Sequence, residues 1–312
     1  MRVLVTGGAG FIGSHVCDAF LARGNEVRVI DDLSHGQLGR VPEGVEVCKS
    51  SILDVPALSA LVAEFRPELI CHLAAQVDVR VSVEFPRKDA EANVIGMINV
   101  LDAARAVGAR VIFSSTGGAI YGEDAPVPSP EDELPAPSSP YGVGKYCAEQ
   151  YVGLYNRLFG CAHAILRFAN VYGPRQGGLG EAGVVSIFCG NAIQGKSLTI
   201  YGDGRQTRDY VYVGDVVQAF LAAADHGKAG IWNIGSGTEV SVLDLAALVT
   251  GLTGQHSETV FAPARTGELL RSALAWNRAE QDLGWRPATS LSAGLRAVVD
   301  WFEAGAPDRT PR

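Results

Sequence analysis

The amino-acid sequence predicts an α/β protein built on a doubly wound parallel sheet. Through the first half of the 312 residues, short apolar runs typical of buried strands alternate with helical stretches. Such alternation implies right-handed crossovers and a parallel sheet covered by helices on both faces. After Phe168 the alternation loosens, which indicates a smaller C-terminal α/β domain.

The predicted elements follow one another in regular order. Strands are expected at Arg2–Val5, Glu26–Ile30, Glu68–Leu73, Arg110–Ser114 and Ala164–Arg167, with helices at Ile12–Arg23, Val55–Phe65, Asp89–Val107 and Tyr141–Phe159. Beyond them we expect helices at Gly183–Gly195, Ser241–Thr250 and Leu291–Phe302, and strands at Arg208–Asp215 and Ile231–Ile234, with a helix through Ala224 between these two. We expect a first domain of residues 1–167 together with 208–230, and a partly discontinuous second domain of residues 168–312.

Composition narrows the possible partners. The net charge is −8 and no lysine or arginine run stands out, so nucleic acid is not expected as a partner. No apolar run has membrane length and no leader precedes the first strand, so we expect a cytoplasmic protein without a membrane partner. Six scattered cysteines without a CxxC pair indicate reduced thiols, and no His/Cys cluster indicates a metal site.

A glycine-rich turn between the first strand and the first helix predicts a dinucleotide site. It reads Gly7-Gly8-Ala9-Gly10-Phe11-Ile12-Gly13. Gly7 permits the tight turn, Gly10 lets the backbone approach a pyrophosphate, and Gly13 lets helix and strand pack closely. The helix N-terminus then offers N–H groups to phosphate. Asp31, at the end of the second strand, fits a ribose-binding carboxylate that repels a 2′-phosphate and so favours NAD over NADP; an exposed turn acid is the alternative.

A second set of residues points to proton transfer. Ser114-Ser115-Thr116 ends the fourth predicted strand, and Tyr141 and Lys145 stand four residues apart on a predicted helix and share a face. A nearby ammonium lowers a phenol pKa from about 10 towards neutrality, and the Thr116 hydroxyl could order the same substrate oxygen. Taken alone, the Tyr/Lys spacing also fits an ordinary amphipathic helix surface.

Together these segments resemble the extended short-chain dehydrogenase/reductases, and among them the nucleotide-sugar 4-epimerases that act on UDP-glucose and UDP-galactose. The resemblance covers nearly the whole chain. It rests on Thr6–His15, Ser114–Thr116, Tyr121-Gly122, Ser139–Lys145, Leu166–Arg175, Arg208–Val213, Trp232–Gly235 and Gly284-Trp285. It implies an NAD-binding Rossmann fold, an isomerase that inverts C4 through a transient 4-keto sugar, and a homodimer formed through the helices at Asp89–Val107 and Tyr141–Phe159.

The resemblance also implies roles for individual residues. Tyr141 would be the catalytic acid/base, Lys145 would bind the nicotinamide ribose and tune Tyr141, and Thr116 would complete the set. Other NAD contacts would come from Gly7, Gly10, Phe11, Ile12, Gly13, Asp31, Ser51, Ile52, Leu73, Ala74, Ala75, Asn93, Ser114 and Phe168. The UDP-sugar would be held by Asn170, Val184, Val185, Thr199, Tyr201, Arg208, Arg265, Glu268 and Ser272. The alternatives are surface ion pairs for the two arginines, a turn cap for Asn170 and a polar helix residue for Asn93.

Departures from the family pattern sharpen the choice of reaction and substrate. Ser51 stands where an aspartate usually reads the adenine amino group, and Ser272 stands where bulkier residues restrict the sugar pocket, which leaves room for an N-acetyl group. Gly117-Gly118 follow Thr116 where sugar dehydratases and decarboxylases favour an acid. The alternatives are therefore a UDP-glucuronate or UDP-N-acetylglucosamine 4-epimerase, less favourably a dehydratase, and a non-catalytic NAD-sensing protein, which would commonly lack the Tyr/Lys pair.

Overall fold

The computed structural model describes residues 1–177, 183–255, 257–264 and 269–306. Its strands are β1 (Arg2–Thr6), β2 (Glu26–Asp31), β3 (Glu46–Lys49), β4 (Leu69–His72), β5 (Arg110–Thr116), β6 (Ala164–Phe168), β7 (Asn170–Tyr172), β8 (Leu198–Tyr201), β9 (Thr207–Arg208), β10 (Tyr210–Tyr212), β11 (Gly230–Ile234), β12 (Val240–Ser241) and β13 (Thr259–Ala262). Its α-helices are α1 (Phe11–Ala22), α2 (Val55–Phe65), α3 (Val79–Glu84), α4 (Pro86–Ala90), α5 (Gly96–Val107), α6 (Pro140–Phe159), α7 (Val184–Ile193), α8 (Val213–His226), α9 (Val242–Thr253), α10 (Asn277–Leu283) and α11 (Leu291–Glu303). A 3₁₀ turn spans Leu38–Arg40, and a π-helical turn spans Glu91–Ile95.

Seven parallel strands form the central sheet, in the order β11-β6-β5-β4-β1-β2-β3. Helices cover both faces, so the predicted doubly wound α/β fold is confirmed. Strand order reverses beside β1, with β2 on one side and β4 on the other. In such sheets a ligand binds in the crevice at the carboxyl ends of the strands, where the order reverses.

Apolar residues pack against both faces of this sheet. One buried cluster joins it to α1 and α8 through residues such as Phe20 and Phe220, and a second joins it to α2, α5 and α6 through residues such as Leu61 and Leu101. A third cluster, around α7, α9 and α11, forms the core of the C-terminal unit. The sheet also takes in β11, so the chain returns to it after entering the C-terminal elements.

Two predicted elements differ from the observed ones. The predicted helix Asp89–Val107 is divided into α4, the π-helical turn and α5, and this turn carries Asn93 into the interior, where it is 2 % exposed. The predicted strand Arg208–Asp215 is broken at Asp209, because that carboxylate accepts backbone N–H groups from Ser236, Gly237 and Leu274. β9 therefore pairs antiparallel with β12, while β10 pairs parallel with β7.

The helix that carries the predicted catalytic pair has well-defined ends. Ser139 caps α6 by accepting the N–H of Gly142, Pro140 occupies its first turn, and Gly160 ends it with left-handed backbone. Tyr141 therefore lies in the first turn, next to the carboxyl end of β5. Among the described helices, none is both long and apolar enough to cross a bilayer.

Candidate active site

The glycine turn after β1 forms a close-fitting backbone cradle. Gly7 has a φ of +71°, and a Cβ there would lie 2.7 Å from the amide nitrogen of Ala74. A Cβ on Gly13 would collide with the carbonyl of Gly7, so α1 can pack against the turn only with glycine there. Gly10 precedes α1 without a side-chain cap, which leaves N–H groups of the first turn, from Phe11 and Ile12 onward, for an anion. The turn therefore fits a dinucleotide pyrophosphate.

The carboxyl end of β4 closes the cradle from the other side. The Thr6 hydroxyl accepts the N–H groups of Leu73 and Ala74 at 3.2 and 3.1 Å, which fixes the segment Leu73-Ala74-Ala75 against β1. His72 stays neutral beneath it, because burial and the nearby Lys145 lower the pKa of the imidazole to about 3. These contacts place the predicted cofactor segment at the crevice.

Asp31 lies at the end of β2 and is 7 % exposed, which is not the environment of an exposed turn acid. Its carboxylate accepts the N–H of Ala9 in the glycine turn and that of Leu33, both at 2.9 Å. Burial raises the pKa of Asp31, and these two hydrogen bonds oppose the rise. Ser51 and Ile52 lie beyond β3, where Ile52 is buried against Gly96. Their contacts with a cofactor remain predictions.

Tyr141, Thr116 and Lys145 come together at the junction of β5 and α6. The Thr116 hydroxyl lies close enough to the Tyr141 phenol to lower the pKa of that phenol. Lys145 is 3 % exposed, donates from Nζ to the carbonyl of Ser114 at 3.0 Å, and lies 4.9 Å from the centre of the Phe113 ring. The Ser114 hydroxyl donates to the carbonyl of His72, which ties β5 to β4 at the same level. The structure therefore brings a phenol, a hydroxyl and an ammonium together at the crevice.

The charge state of this set differs from the sequence-based expectation. Burial and then the negative charge of Asp89 raise the pKa of Tyr141, and only the nearby Thr116 hydroxyl lowers it. Burial lowers the pKa of Lys145 to about 8, against the raising effects of Asp89 and Glu149. The predicted lowering of the Tyr141 pKa by Lys145 is thus wrong for the chain without ligand. The reason is that desolvation disfavours the phenolate and the Lys145 ammonium is engaged by Ser114.

Asn93 is held by protein partners rather than left open to the crevice. Its amide nitrogen donates to the Gln76 carbonyl and to Asp89, each at 3.0 Å, and its oxygen accepts the Gln76 N–H at 3.2 Å. Asn93 therefore fixes the loop that follows Ala75, while its contact with a cofactor remains a prediction. Gln76 and Asp89 were not among the predicted site residues, because no pattern in the sequence around them indicates a buried cluster.

A buried ion pair behind α6 was also missed. Glu149 and Arg167 meet at 2.6 Å, with side chains 1 % and 4 % exposed. Ser115 donates to the Glu149 carboxylate at 2.6 Å, and Arg167 donates to the Tyr121 hydroxyl at 2.8 Å. These contacts anchor α6 to β5 and β6. The residue of β5 that takes part, Ser115, directly precedes Thr116.

On the substrate side, Asn170 and Ser272 face the strand end after Thr116. A Cβ on Gly118 would lie 3.3 Å from Asn170 Oδ1 and 4.0 Å from Ser272 Oγ. Phe168 packs its ring on Phe220, and its carbonyl accepts the N–H groups of Gly117 and Gly118. Leu274 packs against Gly117, so the opening lined by small polar side chains lies at Gly118.

The remaining predicted substrate residues lie in the C-terminal unit. Thr199 and Tyr201 share the exposed face of β8, and Val184 and Val185 begin α7. Arg208 is half-buried, and its guanidinium donates to the Thr207 carbonyl at 2.7 Å. Arg265 and Glu268 lie outside the described residues. The roles of all seven residues remain predictions.

In the described part of the chain, no group of three or more histidine, cysteine, aspartate or glutamate side chains could hold a metal ion. All six cysteines are described, and each is a free thiol. The chemistry available at the crevice is therefore carried by the glycine turn and by the Tyr141, Thr116 and Lys145 side chains. A parallel sheet with this cradle and this pair defines the class of α/β enzymes that bind a dinucleotide and move protons at a substrate hydroxyl.

Comparisons with known proteins give the family. The sequence profile of the NAD dependent epimerase/dehydratase family matches residues 3–235. The chain is 43% identical over 311 residues to the UDP-glucose 4-epimerase of Mycolicibacterium smegmatis. The aligned region covers 97% of this chain and 98% of that protein. The crystal structure of a UDP-glucose 4-epimerase from Thermotoga maritima with UDP-glucose has a TM-score of 0.96 at 44% identity, covering 98% of this chain and 99% of that one. A Thermus thermophilus UDP-glucose 4-epimerase in complex with NAD has a TM-score of 0.92 at 42% identity, covering 97% and 99%.

The chain therefore belongs to the NAD-dependent epimerase/dehydratase family. It is an NAD-dependent isomerase, and the predicted cofactor, NAD, is confirmed.

Proposed function

We propose that this enzyme is a 4-epimerase that interconverts UDP-glucose and UDP-galactose by inverting C4 through a transient 4-keto sugar. The observation that carries the proposal is the position of the Tyr141 phenol at the crevice beside Thr116, next to the buried Lys145, whose Nζ donates to the Ser114 carbonyl. The similarity to UDP-glucose 4-epimerases over nearly the whole chain supports the choice of substrate.

In this mechanism Tyr141 moves the proton of the sugar 4-hydroxyl. When bound, NAD would supply a hydride acceptor and donor for C4. Thr116 orders the same substrate oxygen, since its hydroxyl lies beside the Tyr141 phenol. Lys145 would hold the nicotinamide ribose and contributes its positive charge to the site. Tyr141 returns the proton after the 4-keto sugar has presented its other face.

Rotation of the 4-keto sugar requires a firmly anchored UDP and space beside C4. We assign the anchoring to Arg208, to the exposed face of β8 with Thr199 and Tyr201, and to the start of α7 with Val184 and Val185. The absence of a side chain at Gly118 supplies space there, whereas Leu274 packs against Gly117. The chain is acidic as a whole, so the diphosphate has to be met locally, by arginine and by N–H groups at helix N-termini.

The strand end also favours epimerisation over elimination or decarboxylation. Dehydration and decarboxylation call for an additional acid next to the threonine, and this chain has Gly117, Gly118 and Ala119 there. Asn170 and Ser272, which face this opening, carry no charge. A UDP-glucuronic acid decarboxylase is 31% identical to this chain, whereas a UDP-glucose 4-epimerase is 43% identical to it.

The test is a panel of UDP-hexoses incubated with the purified protein without added reductant. Separation of the C4 epimers is expected to show UDP-glucose and UDP-galactose approaching equilibrium from both sides. Release of a dehydrated or decarboxylated sugar instead, or no product from either hexose, would contradict the proposal. Reduction of the bound NAD together with an accumulated oxidised sugar and no C4 epimer would point to a dehydrogenase.

The same panel tests whether N-acetylated UDP-hexoses are accepted. Ser272 is half-buried and lies near Gly118 and Asn170, so the pocket wall there is built from small side chains. We expect turnover of UDP-N-acetylglucosamine by the natural chain. The variant Ser272→Tyr is expected to lose this turnover while retaining that of UDP-glucose. Turnover of UDP-glucose with none of UDP-N-acetylglucosamine in the natural chain would refute this role of Ser272.

We further propose that the enzyme is a homodimer formed through α5 and α6. Apolar side chains are exposed along this part of the surface, among them Ile95, Val143 and Leu158, which is 64 % exposed. The variant Leu158→Glu is expected to convert a dimer into a monomer in sedimentation experiments, because a charge there is costly to bury. Leu134, which is 80 % exposed in a loop, provides the control, and Leu134→Glu should leave the dimer intact. A natural chain that sediments as a monomer would contradict the proposal.

A further inference from the structure

A buried carboxylate that the mechanism above does not use lies against the catalytic helix. Asp89 belongs to α4 and is 1 % exposed. Its Oδ1 accepts hydrogen bonds from Gln76 Nε2 at 2.8 Å and from Asn93 Nδ2 at 3.0 Å, which fixes the plane of the carboxylate. Its Oδ2 faces Gly144, where a Cβ would lie only 2.9 Å away.

Gly144 lies three residues after Tyr141 on α6, so the two are neighbours on the helix surface, and Lys145 follows Gly144 directly in the chain. The missing side chain at position 144 therefore lets the Asp89 carboxylate approach the helix between the two catalytic residues. Its negative charge acts on both, because it raises the pKa of Tyr141 and that of Lys145.

One other anion acts on Lys145. Glu149, one turn further along α6, also raises the pKa of Lys145, but by less than Asp89 does, and its carboxylate is paired with Arg167. His72 on β4 is neutral, and β5 presents only the Ser114 carbonyl and the Phe113 ring. Tyr141 faces Asp89 and, on β5, the uncharged Thr116. The hydrogen-bond donors to the Asp89 side chain are neutral amides.

We propose that Asp89 is a positioning residue for the Tyr141–Lys145 pair, which keeps Lys145 in its charged form and sets the pH range in which the pair can move a proton. The part of this inference that concerns turnover rests on the proposed epimerase function. The part that concerns the charge of Lys145 does not.

The sign of the effect follows from electrostatics. An anion favours the protonated form of a lysine and of a tyrosine alike, so its removal lowers both pKa values. In the variant Asp89→Asn, both limbs of the pH profile of kcat/KM should therefore move to lower pH. The expected shift is about one pH unit, as for the loss of a charge close to a titrating group. The loss of a hydrogen bond or of local packing alone would lower the height of the profile without moving it.

The first experiment titrates Lys145 directly on the NAD-bound protein. The chain contains only five lysines, so isotope labelling at Cε gives a small set of NMR signals, and Lys145→Arg assigns the one of interest. We expect Lys145 to titrate below the ordinary lysine value, and lower still in Asp89→Asn. An unchanged Lys145 midpoint in the variant would overturn the proposal. Because no turnover is needed, an inactive protein that shows the shift would refute the proposed function and leave this inference standing.

A second pair of variants displaces the carboxylate without removing it. Gly144→Ala places a Cβ against Asp89 Oδ2 and is expected to shift the pH profile and the Lys145 midpoint in the same direction, by a smaller amount. Gly153→Ala, on the same helix, is the matched control, since a Cβ there would meet only the flexible end of Arg157 at 3.3 Å. If Gly144→Ala and Gly153→Ala had the same pH profile and the same Lys145 midpoint, this result would count against the role of Asp89.

Discussion

Replacing Tyr141 with phenylalanine is expected to abolish turnover while leaving NAD bound. The phenol is the group that lies beside Thr116 at the crevice, and its ring contributes little to the glycine cradle around Gly7. Loss of a positioned acid/base costs about 10²–10⁴-fold in rate. The measurement is kcat for UDP-galactose, with the NAD content of the purified variant determined in parallel.

The matched control for this experiment is on the same helix. The Tyr155 hydroxyl donates to Asp102 at 2.8 Å on the side of α6 away from the crevice, so Tyr155→Phe removes one ordinary hydrogen bond. It should lower the free energy of unfolding by about 1 kcal/mol and leave kcat unchanged. Unchanged turnover in Tyr141→Phe would remove Tyr141 from the mechanism, and loss of NAD from that variant would show that the change is one of binding.

The largest expected effect on stability concerns the ion pair between Glu149 and Arg167. Both side chains are buried, and burial alone would lower the pKa of Arg167, but the hydrogen bonds and the charge of Glu149 raise it above the ordinary value. The variant Glu149→Gln leaves the guanidinium buried without a counter-charge. We expect the free energy of unfolding to fall by about 3–5 kcal/mol, as measured by urea denaturation.

An exposed pair gives the comparison for this prediction. Arg87 and Glu91 meet at 3.0 Å at i, i+4 spacing on the surface, and Glu91→Gln is expected to cost no more than about 0.5 kcal/mol. In the double variant Glu149→Gln with Arg167→Gln, part of the loss should be recovered, because the unpaired charge is gone. Equal destabilisation by Glu149→Gln and Glu91→Gln would contradict the assignment of a buried, coupled pair.

Features that depend on local backbone demands could be predicted from the sequence. Gly7 and Gly13 are required by a turn and by a close approach that lie within a few residues of each other, so their spacing carries the information. The buried strands were similarly visible as short apolar runs. The Tyr141 and Lys145 spacing predicted a shared helix face, and the structure places both next to β5.

Features that depend on packing between distant segments could not be predicted. Asp89 reaches Tyr141 and Lys145 only because α4 packs against α6, and nothing in its own neighbourhood in the sequence indicates a buried carboxylate. In the sequence, Glu149 likewise has the features of an ordinary helix residue, because its ion-pair partner Arg167 belongs to a different element, β6. The direction of the Tyr141 pKa shift was predicted wrongly for the same reason, since burial and Asp89 both belong to the assembled structure.

The return of the chain to the central sheet as β11 has a consequence for how the sugar specificity of such an enzyme can change. Between β6 and β11 the chain makes an excursion that builds β7, α7, β8 and β10 before closing the sheet. These elements carry the candidate sugar-binding residues Asn170, Thr199 and Tyr201, whereas the cofactor cradle and the proton-transfer pair belong to the sheet and its helices. Insertions or exchanges within the excursion can therefore alter which sugar is accepted without disturbing the strand register that holds the chemistry. We therefore expect part of the sugar specificity to be carried by this excursion, with Ser272 adding its part after β11.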